Sequence, residues 1–140
     1  MNLKNKALVV QAALILGSAS MAETVEMVIA DKAYPVELDE HDASKALIAR
    51  LPMTLEFEDF GATERIAYLN PKLDVGRAPT RTTPKAGDIT YYVPWGNLAV
   101  FVRSFRPSES LVPLGRMSDE AMKALRDCGS TSVTIRRLSK

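Results

Sequence analysis

The chain has 140 residues, the size of a single domain. Its 18 basic and 17 acidic side chains give a net charge of +1, and this balance argues against a dedicated nucleic-acid-binding protein, which usually carries a basic excess. The only histidine and the only cysteine, His41 and Cys128, are too few for a His/Cys metal cage or a disulfide within the chain, and the glycines are too widely spaced for a phosphate-binding loop. No metal site and no cofactor are therefore predicted.

Residues 1–22 are predicted to be a secretory signal peptide. The segment opens with two lysines and no acid, continues with an apolar run interrupted by one polar residue, and ends with Ser20 and Ala22 at the positions typical of a cleavage site. The apolar run is too short to cross a bilayer, because a crossing takes about 20 residues. We therefore expect a mature domain of residues 23–140, without a membrane span, that is periplasmic or secreted.

The mature domain is predicted to contain eight short strands and two short helices. The strands alternate apolar and polar residues with a period of two, which indicates one buried and one solvated face. They lie at residues 24–29, 33–38, 53–58, 63–69, 88–93, 98–103, 111–117 and 131–138, and the helices lie at residues 42–51 and 119–128. Asp39 or Asp42 is expected to cap the first helix and Ser118 the second. Residues 70–85 are predicted to be a long loop, of the kind that is often functional or mobile. Many short alternating strands indicate a sandwich or a closed barrel.

The hairpin predicted at residues 87–103 is rich in aromatic side chains. Trp95, the only tryptophan, stands in its turn, and its strands carry Tyr91, Tyr92 and Phe101. Tyr91 and Tyr92 must face opposite sides of the sheet, so about half of this set is expected in the core. Trp95 is expected near the surface, where aromatic side chains often dominate binding. The predicted ligand-binding residues are Trp95, Tyr92, Asn97 and Phe101.

The sequence of this hairpin resembles a family signature. Residues 85–101, which contain the string GDITYYVPWGNLA, are similar to small bacterial proteins with a cyclophilin-like fold, and so are residues 55–60, 64–69 and 111–116. The resemblance covers residues 23–140. It implies a mainly β domain, a closed eight-stranded barrel with two short helices that cap its ends. No activity is assigned to that family as a whole, so the resemblance does not by itself give a function.

True cyclophilins are peptidyl-prolyl isomerases, and the resemblance to them implies a candidate catalytic residue. They bind an X-Pro peptide over an apolar pocket on the outer barrel wall, where an Arg side chain assists rotation about the tertiary amide. Arg65 stands where that Arg is expected, and a single guanidinium donor is enough for such a role. The chain departs from the isomerase pattern at residues 63–64 and 98–100 and is shorter than a typical cyclophilin. The alternative for Arg65 is a solvated side chain on a strand face.

The function that the sequence favours is a non-enzymatic module that binds a peptide or small ligand at the barrel wall, near Trp95 and residues 71–85. The alternative is a divergent peptidyl-prolyl cis-trans isomerase that uses Arg65. Cys128 is expected to be a small buried residue near a helix end rather than a redox site. His41 is expected to be solvated and without a partner.

Overall fold

The computed structural model describes residues 21–138. The predicted signal peptide, residues 1–22, lies outside this range except for its last two residues. In chain order the elements are β1 Met21–Ile29, β2 Lys32–Asp39, α1 Asp42–Ile48, β3 Met53–Phe60, β4 Glu64–Tyr68, β5 Arg81–Thr82, β6 Asp88–Tyr92, β7 Asn97–Phe101, β8 Ser108–Glu109, β9 Leu111–Met117, α2 Asp119–Asp127 and β10 Thr131–Arg137.

Eight of these strands close into an antiparallel barrel. Their order is β9-β2-β1-β10-β3-β4-β7-β6, and β6 pairs back onto β9. The alternation along each strand places one set of side chains in the interior, as Val25, Met27 and Ile29 show for β1. The buried faces of α1 and α2 join the same apolar core. The closed eight-stranded barrel with two short helices is therefore confirmed.

β7 is buried on both of its faces, and this positions the candidate site. Leu98 and Val100 belong to the barrel core. The opposite face of β7 contributes to a second apolar cluster on the outside of the wall, which we call the outer cluster. It consists of Ile66, Ala99, Phe101 and Leu111, with Tyr92 and Phe105 packed against it.

The loop predicted at residues 70–85 is anchored to the barrel. Arg50, just after α1, donates two hydrogen bonds to carbonyl oxygens at the start of the loop, at 2.6 and 2.8 Å. The amide of Leu73 donates to the hydroxyl of the buried Tyr91 at 2.8 Å. Farther along, β5 pairs with β8 in the segment that follows β7. This pair was not predicted, because two-residue strands carry no alternation pattern.

α1 begins on a β-bulge of the barrel wall. The register of β9 against β6 shifts between Pro113 and Gly115, which leaves Leu114 as the extra residue. A bulge frees backbone carbonyls from the ladder, and the start of α1 engages them here. Nε2 of His41 lies 2.6 Å from the Pro113 oxygen, and the buried Ser44 hydroxyl donates to the Leu114 oxygen at 3.3 Å. These bonds fix the helix on the strand.

The start of α1 differs from the prediction. His41 caps the helix, since its Nδ1 accepts from the Ser44 amide at 3.3 Å; the predicted caps, Asp39 or Asp42, do not. The prediction of a solvated His41 without a partner is wrong for the same reason, because both ring nitrogens are engaged. The helix also ends earlier than predicted, at Ile48.

Candidate functional site

A groove with a volume of about 420 Å³ opens on the outer barrel wall beside the outer cluster. That size falls within the usual range of small-molecule sites. Strands β4, β6 and β7 form one side, and the segment that follows β7 folds back to form the other. All four predicted ligand-binding residues line it: Trp95, Tyr92, Asn97 and Phe101. The other lining residues are Phe60, Glu64, Ile66, Phe105, Arg106, Pro107, Ser108, Glu109 and Leu111.

Three aromatic rings form the rim of the groove. The ring centroid of Trp95 lies 5.5 Å from that of Phe60 and 5.7 Å from that of Tyr92, with interplanar angles of 81° and 76°. These are edge-to-face contacts, which aromatic pairs favour. Trp95, in the turn between β6 and β7, is 49% exposed and Phe60 is 46% exposed. The groove therefore presents large apolar rings to the solvent at nearly perpendicular angles.

Asn97 supplies a buried polar group to the groove. It is 2% exposed, and its Nδ2 donates to the Leu98 oxygen at 3.0 Å. Among the described residues its Oδ1 has no hydrogen-bond partner. A buried amide oxygen without a partner costs free energy, and few such groups occur in native proteins. A hydrogen-bond donor on a ligand that reached this oxygen would recover that cost.

The groove contains three charged side chains in different settings. The guanidinium carbon of Arg106 lies 4.4 Å from the ring centroid of Phe105, a cation–π contact. Glu109 pairs with Arg81 at 3.0 Å, across the short β5–β8 sheet. Glu64 forms no salt bridge within residues 21–138. Partial burial raises the pKa of the Glu64 carboxyl above its ordinary value of 4.5.

The predicted catalytic role requires Arg65 to lie over the groove on the outer wall. The structure places it elsewhere. It faces the opposite side of β4 from Glu64 and is 2% exposed. Its Nε donates to the Leu125 oxygen at 2.9 Å, its Nη2 donates to the Gly129 oxygen, and its Nη1 pairs with the Asp59 carboxylate at 3.0 Å. The alternative prediction, a solvated side chain, is wrong as well. The guanidinium instead ties β4 to the C-terminal end of α2.

Cys128 lies next to this guanidinium. The thiol donates to the Leu125 oxygen at 3.2 Å, and its sulfur lies 3.5 Å from Nη2 of Arg65. The residue is half-buried at the C-cap of α2, in accord with the predicted position near a helix end.

Within residues 21–138, no three His, Cys, Asp or Glu side chains cluster as metal ligands would. None of the helices in that range is both long enough and apolar enough to cross a membrane.

Phe60, Glu64 and Phe105 line the groove but were not predicted to do so. The predicted strand at residues 53–58 stops short of Phe60, whereas β3 extends through Phe60 and pairs it with Glu64 across Gly61, which has a φ of 61°. Phe105 lies between the strands predicted at residues 98–103 and 111–117, in a segment for which no element was predicted. A single Phe among polar loop residues was the available signal, because such a side chain usually needs an apolar surface to cover it.

Comparisons with known proteins agree on the fold. The model of the Cyclophilin-like family matches residues 27–136. The solution structure of the hypothetical protein AF2241 from Archaeoglobus fulgidus matches with a TM-score of 0.62 at 17% identity, covering 88% of this chain and 100% of that one. The structure of McbB in complex with tryptophan matches with a TM-score of 0.55 at 17% identity, covering 83% of this chain and 45% of McbB. At such identities a structural match shows the fold alone. No protein with a curated description matches the sequence.

Proposed function

The chain belongs to the cyclophilin-like family, and we propose that this member is an exported, non-enzymatic protein that binds a peptide or small molecule in the aromatic groove. Membership of the family gives the barrel but not the activity, because one fold hosts many functions. One observation carries the proposal. The groove on the outer wall combines half-exposed aromatic rings with a buried amide oxygen that has no partner among the described residues.

The groove has the features expected of a recognition surface. Aromatic side chains are enriched at binding hot spots, since they bury a large apolar area at a small entropic cost. Trp95 and Phe60 lie side by side and leave about half of their side-chain surface exposed, and an exposed apolar patch of this kind often marks an interaction site. The sequence analysis offered a divergent prolyl isomerase as the alternative. Arg65, on which that alternative depended, has its guanidinium donors engaged by the protein itself, so we favour binding without catalysis.

Trp95 makes the proposal directly testable, because it is the only tryptophan of the chain and stands at the rim of the groove. We expect at least one compound from a panel of proline-containing peptides and small cationic, neutral and anionic molecules to shift its emission. The same compound should raise the melting temperature, since a ligand that binds only the native state stabilises it. Trp95→Ala should weaken binding about thirtyfold, since losing a hot-spot aromatic costs about 2 kcal/mol. Calorimetry measures this variant, which lacks the fluorophore.

Tyr68→Ala is the matched control for Trp95→Ala. Tyr68 is 52% exposed on β4 but does not line the groove. Its removal should leave ligand affinity unchanged. Two results would contradict the proposal: a full panel that changes neither the emission nor the melting temperature, or a ligand whose affinity responds equally to both substitutions.

The proposal of export rests on the pattern of residues 1–22. Cleavage after Ala22 would remove the Met21–Asp39 pair at the start of β1 and keep the pairs from Glu23 to Ile29. Expression of the full chain in a bacterium with a periplasm should yield a periplasmic protein whose N-terminal residue is Glu23. Ala22→Arg should block processing, because the cleavage site needs a small residue. Recovery of the uncut chain from the cytoplasm would count against export.

A further inference from the structure

We propose that the group recognised by the groove is an organic ammonium cation, with Glu64 as its counter-ion and the rings of Trp95, Tyr92 and Phe60 as its walls. This inference rests on the proposed function, because it names the chemistry of the ligand for the same groove. Three observations favour a cation over a neutral or anionic group.

The first observation is the arrangement of the rings. The planes of Phe60 and Tyr92 both stand nearly perpendicular to that of Trp95. All three rings line the groove, and those of Trp95 and Phe60 are half-exposed, so electron-rich ring faces are available there to a ligand, as they are in an aromatic cage. Ammonium groups bind in cages of this kind because the faces of the rings carry negative potential. A neutral apolar group gains the same contact area from the rings but not this electrostatic attraction.

The second observation is the carboxylate beside the rings. Glu64 lines the groove and forms no salt bridge within residues 21–138. Partial burial disfavours its charged form, and this raises its pKa. A cation bound next to the carboxylate would offset that desolvation, whereas an anion would add repulsion. Binding of a cation would therefore stabilise the charged form of Glu64 more than binding of a neutral or anionic group.

The third observation concerns the other acid of the groove. Glu109 already has a cationic partner, since it pairs with Arg81 at 3.0 Å. Glu64 and Glu109 are the only lining carboxylates among the described residues. Glu64 therefore remains as the negative charge in the groove that a ligand can neutralise.

One positive charge lines the groove within residues 21–138, that of Arg106. Its exposed guanidinium lies over the ring of Phe105, 4.4 Å from the centroid. Arg106 therefore engages Phe105 rather than the three rim rings, which stay available to a ligand.

The test compares choline with 3,3-dimethylbutan-1-ol, a neutral molecule of the same shape. Both are titrated into the full protein at constant ionic strength, with Trp95 emission and the melting temperature as readouts. We expect choline to bind at least tenfold more tightly than the neutral molecule. Glu64→Gln should abolish this preference, while the matched control Glu37→Gln, an exposed strand carboxylate outside the groove, should retain it.

The outcomes separate this inference from the function on which it rests. If the neutral molecule binds as well as choline, or if only neutral or anionic members of the wider panel bind, the ammonium inference is overturned and the groove remains a binding site. If nothing in the panel binds, both fall. If Glu64→Gln and Glu37→Gln weaken choline binding equally, the counter-ion is not Glu64.

The stability of Glu64→Gln provides a second readout. A carboxyl whose pKa is raised in the native state binds its proton more tightly there than in the unfolded chain. Stability therefore falls as the pH rises from the ordinary value of 4.5 through the raised one. At pH 7 the charge is a cost, so Glu64→Gln should melt slightly higher than the wild type while losing the preference for choline. A lower melting temperature would instead assign Glu64 a structural role.

Discussion

Arg65→Ala is expected to lower the free energy of unfolding by about 3–5 kcal/mol, because it removes the donor from a buried carbonyl and leaves a cavity under α2. The loss arises at the junction of β4 with the end of α2. The last carbonyls of a helix have no partner within the helix, and Arg65 donates to two of the oxygens at this end, those of Leu125 and Gly129. Its positive charge also lies at the negative end of the helix dipole.

Two costs add together in this variant. The Arg65–Leu125 hydrogen bond is buried, and a buried carbonyl that loses its donor costs about 1–3 kcal/mol. Removal of a side chain that is 2% exposed also leaves a cavity under α2, since the surrounding structure relaxes only partly. The ion pair with Asp59 adds little, because the Asp59 side chain is 72% exposed and such pairs are worth at most about 1 kcal/mol.

Urea unfolding of a matched set of variants separates these contributions. Asp59→Asn should change the free energy of unfolding by less than about 1 kcal/mol, because only the exposed pair is lost. Arg65→Lys should recover less than half of the loss, because one ammonium group does not reach the separate directions that the planar guanidinium serves. An Arg that donates to a substrate would behave in the opposite way, with normal stability and altered catalysis in Arg65→Lys. A wild-type denaturation midpoint for Arg65→Ala would refute the structural role.

The placement of Arg65 marks a limit of what the sequence predicts. Period-two alternation correctly predicted the strands of the barrel, because the inward set is repeated along every strand. In β4, however, Arg65 and Ala67 face the interior, while Ile66 faces outward into the outer cluster. From the sequence alone, Arg65 is expected to be a solvated polar residue. Its burial is explained only by the end of α2, which lies opposite it. That partner lies about 60 residues farther along the chain.

The candidate groove was predictable to a similar extent. Trp95, Tyr92 and Phe101 belong to one hairpin, so a local pattern brings them together. Glu64 and Phe60 come from the β3–β4 turn, and their contact with that hairpin depends on the pairing of β4 with β7. Phe105 depends on the return of a loop over the wall. These contacts are set by long-range topology, which sequence periodicity does not encode.

Gly115→Ala is expected to destabilise the barrel by about 3 kcal/mol, the upper part of the range for overpacking. The backbone of Gly115 lies outside the left-handed region, so its conformation does not require glycine. Glycine is required because there is no room for a Cβ. A Cβ at this position would lie far inside van der Waals contact with the backbone oxygen of Glu37 and 2.9 Å from the Cα of Leu38. Both atoms belong to the backbone of β2, so they have little freedom to move aside.

The effect should extend beyond the single contact. Gly115 directly follows the bulge that presents the Pro113 and Leu114 carbonyls to α1. Pushing β9 away from β2 would therefore also disturb the hydrogen bonds that hold α1 on β9. Gly61→Ala is the matched control: its Cβ meets no atom within 4 Å, and only its φ of +61° opposes a side chain. It should cost about 1–2 kcal/mol, the price of a left-handed residue alone. Urea unfolding monitored by far-ultraviolet circular dichroism compares the two, and a Gly115→Ala variant at least as stable as Gly61→Ala would show that the β2–β9 contact has room to relax.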